Sequence, residues 1–189
     1  ICNPPMKDFT QATQEFIRKH VNEDVRALAL QAAKYPDVDM SAAVQQIAGY
    51  QIASRKIPFW ASVGQVRYPR HLSMEQCSSE QTARYKASLI KGDTLVDLTA
   101  GLGVDCSFLA RNFKQVTYVE RQEELCELAH HNFPLLGLPH ITVCKDDACS
   151  FLENMEPVDC IFLDPARRDS RGGKTVALAD CEPNVIEME

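Results

Sequence analysis

Four acids stand at the ends of four short apolar runs. Asp97 follows Thr94-Leu95-Val96, Glu120 follows Val116-Thr117-Tyr118-Val119, Asp146 follows Ile141–Cys144 and Asp164 follows Val158–Leu163. A lone acid after a strand is commonplace. Four in succession point at one ligand edge, because sites in a parallel sheet lie at the carboxyl ends of its strands. Carboxylates there are acceptors only, suited to a ligand's ammonium, hydroxyl or amine protons.

The richest of the four stretches is Thr94–Asp105, TLVDLTAGLGVD, which reads as strand, acid, glycine turn and helix start. A glycine turn at a strand end lets a ligand approach the backbone, since no Cβ intervenes. A dinucleotide fold asks for G-x-G-x-x-G. Here Gly101-Leu102-Gly103 is followed by Cys106 where the third glycine would fall. Asp97, four residues before Gly101, is a poor neighbour for a pyrophosphate and a good one for an amino-acid ammonium. The combination favours S-adenosylmethionine over a dinucleotide.

The elements that must position these groups alternate. Strands end at Asp97, Glu120, Asp146 and Asp164, and helices are expected over Cys106–Phe113, Arg121–Asn132 and Ala148–Met155. Such alternation gives a parallel sheet with helices on both faces. The short strand–helix spacing and the right-handed crossover rule predict the spatial order third, second, first, fourth strand.

Upstream the period changes. Residues 1–60 read as three amphipathic helices: one capped within Asp8-Phe9-Thr10-Gln11, one capped by Asn22 and ended by Pro36, and one from near Ser41 to just before Pro58. The division expected is a small all-α domain over 1–72 and the sheet domain over 73–189. Residues 57–73, IPFWASVGQVRYPRHLS, read as a junction loop. Its aromatics with Arg67, Arg70 and His71 leave two readings open, packing on a neighbouring domain or base stacking with phosphate contact. Next, Ser78-Ser79-Glu80-Gln81 is a capping box. Its free amides make Ser79, Thr82 and Lys86 candidates for a cofactor's carboxylate, beside the reading of an ordinary capped helix.

Composition bounds the rest. Hydrophobic residues at 45% and charged residues at 24% are those of a soluble globular chain. No apolar run approaches the ~18 residues of a membrane span. The eight cysteines are scattered without C-x-x-C spacing, which fits small buried hydrophobes in a reducing cytoplasm and calls for no metal. A net charge of −6 argues against this chain holding nucleic acid by electrostatics alone.

Over residues 73–169 the chain resembles the class I S-adenosylmethionine-dependent methyltransferases. Within that class DLTAGLGVD, YVER, KDDA and FLDPARR look closest to RNA amino-methyltransferases of the cap-guanine type and to bacterial methyltransferases carrying a THUMP-like domain. The resemblance implies a Rossmann-like α/β fold whose cofactor is S-adenosylmethionine. Asp97 and the turn with Thr99, Gly101, Gly103 and Asp105 would hold the methionine part. Glu120, with Arg121 beside it, would take the ribose hydroxyls. Asp146 would accept from the adenine amino group, with Asp147 as the alternative. Asp164, Pro165 and Arg167 would occupy the catalytic position. The family fold has seven strands, whereas the residues after Lys91 suffice for four, so the expectation is a truncated chain, and Ile1 in place of an initiator methionine agrees with it.

Two departures matter. Amino-methyltransferases usually carry a second proline and an aromatic where this chain has Ala166 and Arg167. A guanidinium plane can stack on a base or pair with a phosphate. The D-P-x-R pattern is also similar to uridine carbon-methyltransferases, which need a cysteine nucleophile. Cys181 alone follows the motif, and its context ADCEPN gives no sign of activation.

The function expected is methyl transfer to an exocyclic amine of a base in RNA, with tRNA and rRNA undivided, oligomeric state open and no membrane involved. The alternatives are a non-catalytic methyltransferase-fold module that binds nucleotide or RNA, and a methyltransferase for a small-molecule amine.

Overall fold

A computed structural model describes residues 8–69 and 71–165. At its centre four parallel strands, β1 (Thr94–Asp97), β2 (Gln115–Glu120), β3 (Ile141–Lys145) and β4 (Cys160–Phe162), stand in the order β3-β2-β1-β4. Register pairs Asp97 with Tyr118 on one side and with Phe162 on the other. This is the order that the short crossovers predict. Its reversal between β1 and β4 opens a crevice at their carboxyl ends, the switch point where ligands of open α/β sheets bind.

Residues alternate across the sheet, so each face needs a cover. Leu95, Val116 and Tyr118 pack into the larger apolar cluster with Phe108, Cys126, Ala129 and Phe133. Val96 and Val119 turn to a second cluster with Ala148, Phe151 and Leu152. The first face is covered by α7 (Val104–Leu109) and α8 (Glu123–Leu135), the second by α9 (Ala148–Asn154). Pro134 sits in the last turn of α8, and Gly137 at φ +76° follows. The expected helix after the glycine turn is α7 continued by a 3-10 turn over Ala110–Asn112.

The helical region departs from expectation in three places. α1 (Gln11–His20) is capped by Thr10, within the stretch named for it. The second helix breaks: Asp24, not Asn22, caps α2 (Val25–Ala29), and a separate 3-10 turn covers Ala32–Lys34. The long α3 (Met40–Lys56) ends before Pro58 as expected. The junction is then partly helical, with α4 (Pro58–Ser62) and α5 (His71–Gln76), followed by α6 (Glu80–Leu89). α4 forms because Pro58 suits a first helical position and because Glu80 Oε2 accepts from the Phe59 amide at 2.6 Å, a cap lent from α6.

Between α4 and α5 the chain runs as a strap held by three side-chain amides, one of them Gln45, which donates to the Tyr68 carbonyl at 3.1 Å. Asn132 accepts from the Arg67 amide and donates to its carbonyl at 2.9 and 2.8 Å. Gln46 does the same for Tyr68 at 2.9 Å each way. The larger apolar cluster therefore runs from Ala53, Ile57 and Trp60 through Tyr68 and Met74 to the sheet. A smaller one, Phe16, Leu28, Ala43 and Ile47, holds α1 and α2 on α3. No helix among the described residues is long and apolar enough to cross a membrane.

Candidate functional site

Asp97, Thr99, Gly101 and Asp105 surround the turn that leaves β1. Asp97 is 1% exposed, and its Oδ1 accepts from the Thr99 amide at 3.1 Å. Among the described residues its buried Oδ2 has no hydrogen-bond partner, and neither has buried Asp105 Oδ1. Burial pushes the Asp97 carboxyl up to about 8, with Asp105 and Asp164 adding repulsion against the pull of the Thr99 amide and Lys86. An unpaired buried acceptor costs free energy until a donor reaches it. Two such acceptors stand beside one turn.

The two glycines divide their work. Gly101, at φ +52°, has only the Thr99 carbonyl, 3.9 Å away, near the place a Cβ would take. That open space is what a ligand's approach requires. Gly103, at φ +85°, has no such space: a Cβ there would stand 2.8 Å from Phe133 Cζ. Its role is close packing of the turn on α8, a purpose that spacing alone does not separate from ligand approach.

Glu120 fastens the turn to the second strand. Its Oε2 accepts from the Gly101 amide at 3.1 Å and its Oε1 from the Gln122 amide at 2.8 Å. Tyr118, buried in β2, donates its hydroxyl to the Gly101 carbonyl. Each Glu120 oxygen keeps a second lone pair. Arg121, next in the chain, is exposed. After β3 the two acids separate. Asp147 caps α9, accepting from the Cys149 and Ser150 amides, whereas among the described residues Asp146 accepts only from the Asp147 amide at 2.8 Å. Asp146 thus keeps the freer carboxylate.

Asp164 follows β4 across the switch point from Asp97. Its amide donates to Thr99 Oγ1 at 2.7 Å, and its Oδ2 meets Lys86 Nζ at 2.6 Å. The same ammonium reaches Asp105 Oδ2 at 2.9 Å and Ser78 Oγ at 3.1 Å. Lys86 is therefore drawn into the acid cluster. Burial pushes its pKa down, but the bonds to Asp164 and Asp105 outweigh this and leave it raised. Ser79 and Thr82 are spent otherwise, since Ser79 Oγ accepts from the Thr82 amide at 3.2 Å to cap α6 and their hydroxyls stand 2.9 Å apart. Ser78, first residue of the expected capping box but not among the cofactor candidates, leaves the cap to Ser79 and donates to Asp105 Oδ2 at 2.8 Å. No local pattern marks it, because its partner lies on α7.

The base-stacking reading of the junction loses Trp60, Tyr68 and Arg67 to packing. Trp60 and Tyr68 are buried at 0% and 3% exposure, and Trp60 Nε1 donates to buried Ser107. Arg67 is buried, bonded to Asp8 at 2.6 Å and lying over the Phe9 ring. Pro165 ends the described part of the motif; Arg70, Arg167 and Cys181 lie outside the described residues. Among the described residues no group of His, Cys, Asp and Glu could hold a metal ion.

Comparison with known proteins gives the family and the fold. The family described as Conserved hypothetical protein 95 matches residues 70–182. The chain is similar to the crystal structure of a candidate methyltransferase from Porphyromonas gingivalis W83, with 33% identity over 92% of this chain and 43% of that one, at a TM-score of 0.73. It thus spans less than half the length of that relative. An rRNA methylase from Streptococcus thermophilus matches with 25% identity over 43% of this chain and 51% of its own, TM-score 0.38. A candidate methyltransferase from Streptococcus mutans, in complex with SAH, matches at 18% identity over 57% and 62%, TM-score 0.43. No curated protein matches the chain.

Proposed function

This chain belongs to the family described as Conserved hypothetical protein 95 and carries a Rossmann-like methyltransferase sheet, and on that premise we propose that it is an S-adenosylmethionine-dependent methyltransferase acting on an exocyclic amine of a base in RNA. The observation that carries the reading is the pair of unpartnered buried oxygens, Asp97 Oδ2 and Asp105 Oδ1, at the mouth of the glycine turn. They suit the ammonium of the cofactor's methionine part and repel a pyrophosphate. Glu120 takes the ribose hydroxyls on its remaining lone pairs, and Asp146 accepts from the adenine amine. The cofactor supplies an electrophilic methyl on a sulfonium.

The chain's own task is to make a poor nucleophile adequate. The lone pair of an exocyclic amine is delocalised into the base. Accepting both N–H bonds draws it out of that plane and aims the nitrogen. The Asp164 carboxylate and the Pro165 carbonyl are the acceptors, one residue past the switch point. The resemblance of FLDPARR to the RNA amino-methyltransferase motif supports a base as acceptor. Arg167 would then meet the base or its phosphate.

The test is transfer from tritiated-methyl S-adenosylmethionine by the full-length protein to separated tRNA and rRNA fractions, with a panel of small amines beside them. Label in one RNA fraction, recovered as an amino-methylated base, is expected. Label confined to small amines, or cofactor binding with no transfer to any acceptor, would overturn the reading.

A further inference from the structure

Asp164 leaves β4 with its side chain 45% exposed, its backbone pinned by Thr99. Nothing in that pin fixes the carboxylate, which is free to turn about two torsions. Lys86 supplies what is missing. It sits on α6, whose inner face is anchored by buried Ala83 and Ala87. Its ammonium has three protons, and three oxygens take them: Asp164 Oδ2 at 2.6 Å, Asp105 Oδ2 at 2.9 Å and Ser78 Oγ at 3.1 Å. Ser78 in turn donates to Asp105, closing a ring on the far side from Asp164. The Phe162 ring, 5.4 Å from Nζ, lies beside the same ammonium.

The charges make this arrangement specific. Asp97, Asp105 and Asp164 converge at the switch point, and Lys86 is the cation bonded to two of them. Without it Asp105 and Asp164 would repel, and the mobile member, Asp164, would swing toward water. The Asp105 side chain on α7 is 14% exposed and Ser78 is half-buried, against 45% for Asp164, so the ammonium is seated on the first two and Asp164 is what it holds. One Asp164 oxygen is consumed in the bond. Oδ1 stays available to accept from an incoming amine.

We propose that Lys86 is a positioning residue for methyl transfer: its ammonium, seated on Asp105 and Ser78, holds the Asp164 carboxylate in the orientation that receives the acceptor amine. This rests on the reading of Asp164 as the group that meets the acceptor, and goes beyond it in naming what orients that group. Lys86 does not contact the acceptor. Its loss should act on the rate of transfer through Asp164, not on cofactor affinity.

The experiment uses the full-length protein with Lys86→Met, Lys86→Arg, Asp164→Asn and the Lys86→Met/Asp164→Asn double variant. Two readouts are taken. The first is free of activity: in NMR of the protein with isotope-labelled lysine, a side-chain ammonium whose protons are all bonded gives a cross-peak at neutral pH that free lysines lose to exchange. The Lys86 cross-peak, assigned by its absence in Lys86→Arg, is expected in the wild type and should vanish or shift in Asp164→Asn. A peak unchanged by that substitution would overturn the bridge. The second is single-turnover transfer at saturating S-adenosylmethionine to whichever RNA fraction or small amine the wild type labels. Lys86→Met should lose about tenfold or more, as misplaced reacting groups do, with cofactor affinity within about threefold of wild type. Lys86→Arg should recover part of the loss, and Lys86→Met should add nothing in the Asp164→Asn background. Independent, multiplying losses, or weakened cofactor binding with transfer intact at saturation, would overturn the positioning role. If the wild type labels no acceptor, the enzyme reading fails by that result, while the cross-peak still decides the bridge.

Discussion

The Gly101 amide donates to Glu120 Oε2 at 3.1 Å, so the acid that ends the second strand is fastened to the turn that leaves the first. In the proposed reading, one carboxylate both shapes the backbone around one end of the cofactor and offers lone pairs to its middle. Glu120→Gln keeps the size but sets an amide donor against one of two backbone donors, Gly101 or Gln122. Stability should fall by about 1–2 kcal/mol, the cost of a lost partner for a half-buried group. S-adenosylmethionine affinity should fall about tenfold or more, since the charged acceptor and the turn are both lost. Urea denaturation and calorimetric titration measure the two. Unchanged affinity would make Glu120 a structural clasp and nothing more.

The glycines should part company under substitution. At Gly103 an alanine meets both a positive φ of +85° and Phe133 Cζ at 2.8 Å. At Gly101 it meets φ +52° and open space. Gly103→Ala should therefore cost about 2–3 kcal/mol of stability through strain and overpacking. Gly101→Ala should cost about 1 kcal/mol, the left-handed penalty alone. The ranking should reverse for the cofactor, since a methyl at Gly101 enters the approach path. Equal loss of stability at the two positions would contradict the division.

Much of this site was legible before any coordinates. β1, β2 and β3 are short apolar runs between breakers, and each strand-end acid closes its run or lies within two residues of it, so period and punctuation place them. What escaped is what depends on partners far along the chain. α4 rests on Glu80 capping Phe59, a bond between residues 21 apart, which no local pattern displays. The strap through Arg67 and Tyr68 looked free to bind because Asn132 and Gln46, which bracket it, carry no signature of doing so. Lys86 was placed near the site as a cofactor candidate, yet its bond to Asp164 joins residues 78 apart. Asn22 and Asp24 are both residue types that cap well, so sequence alone does not separate them; in the fold Asp24 caps α2, whose Leu28 packs with Phe16, Ala43 and Ile47.

Asp97 should couple cofactor binding to pH. Its carboxyl, held near 8 chiefly by burial, keeps a proton in the folded chain that the unfolded chain releases near 4. Between those values the folded state binds the extra proton, so Asp97 makes stability fall as pH rises, and its contribution levels off above about 8. Asp97→Asn should flatten that slope and raise stability at neutral pH. A bound ammonium favours the ionised carboxylate, so binding should release protons and tighten as pH rises from about 6 towards 8. Calorimetry in buffers of different ionisation enthalpy reads the release directly. Binding that releases no proton and shows no pH dependence there would refute the ammonium site at Asp97.

Asp164 and Arg167 carry the chemistry in this reading, and their variants separate chemistry from binding. Asp164→Ala removes the acceptor of the target amine and keeps the side chains of Asp97, Asp105, Glu120 and Asp146. Transfer should fall on the order of 10²-fold or more, the scale of losing one positioned polar group at a reacting centre. Cofactor affinity should stay within a few fold. Arg167 then distinguishes two contacts. If its guanidinium plane stacks on the base, Arg167→Lys should be nearly as damaging as Arg167→Ala, because an ammonium cannot stack. If it meets only a phosphate, lysine should restore much of the rate, and the alanine variant should show a shallower salt dependence of RNA affinity than the wild type, since one fewer counterion is released. Single-turnover methylation across the three variants, with RNA affinity measured at two salt concentrations, decides between them. Normal transfer by Asp164→Ala would remove the catalytic role from the motif after β4 and turn attention to acceptors elsewhere along the strand-end edge.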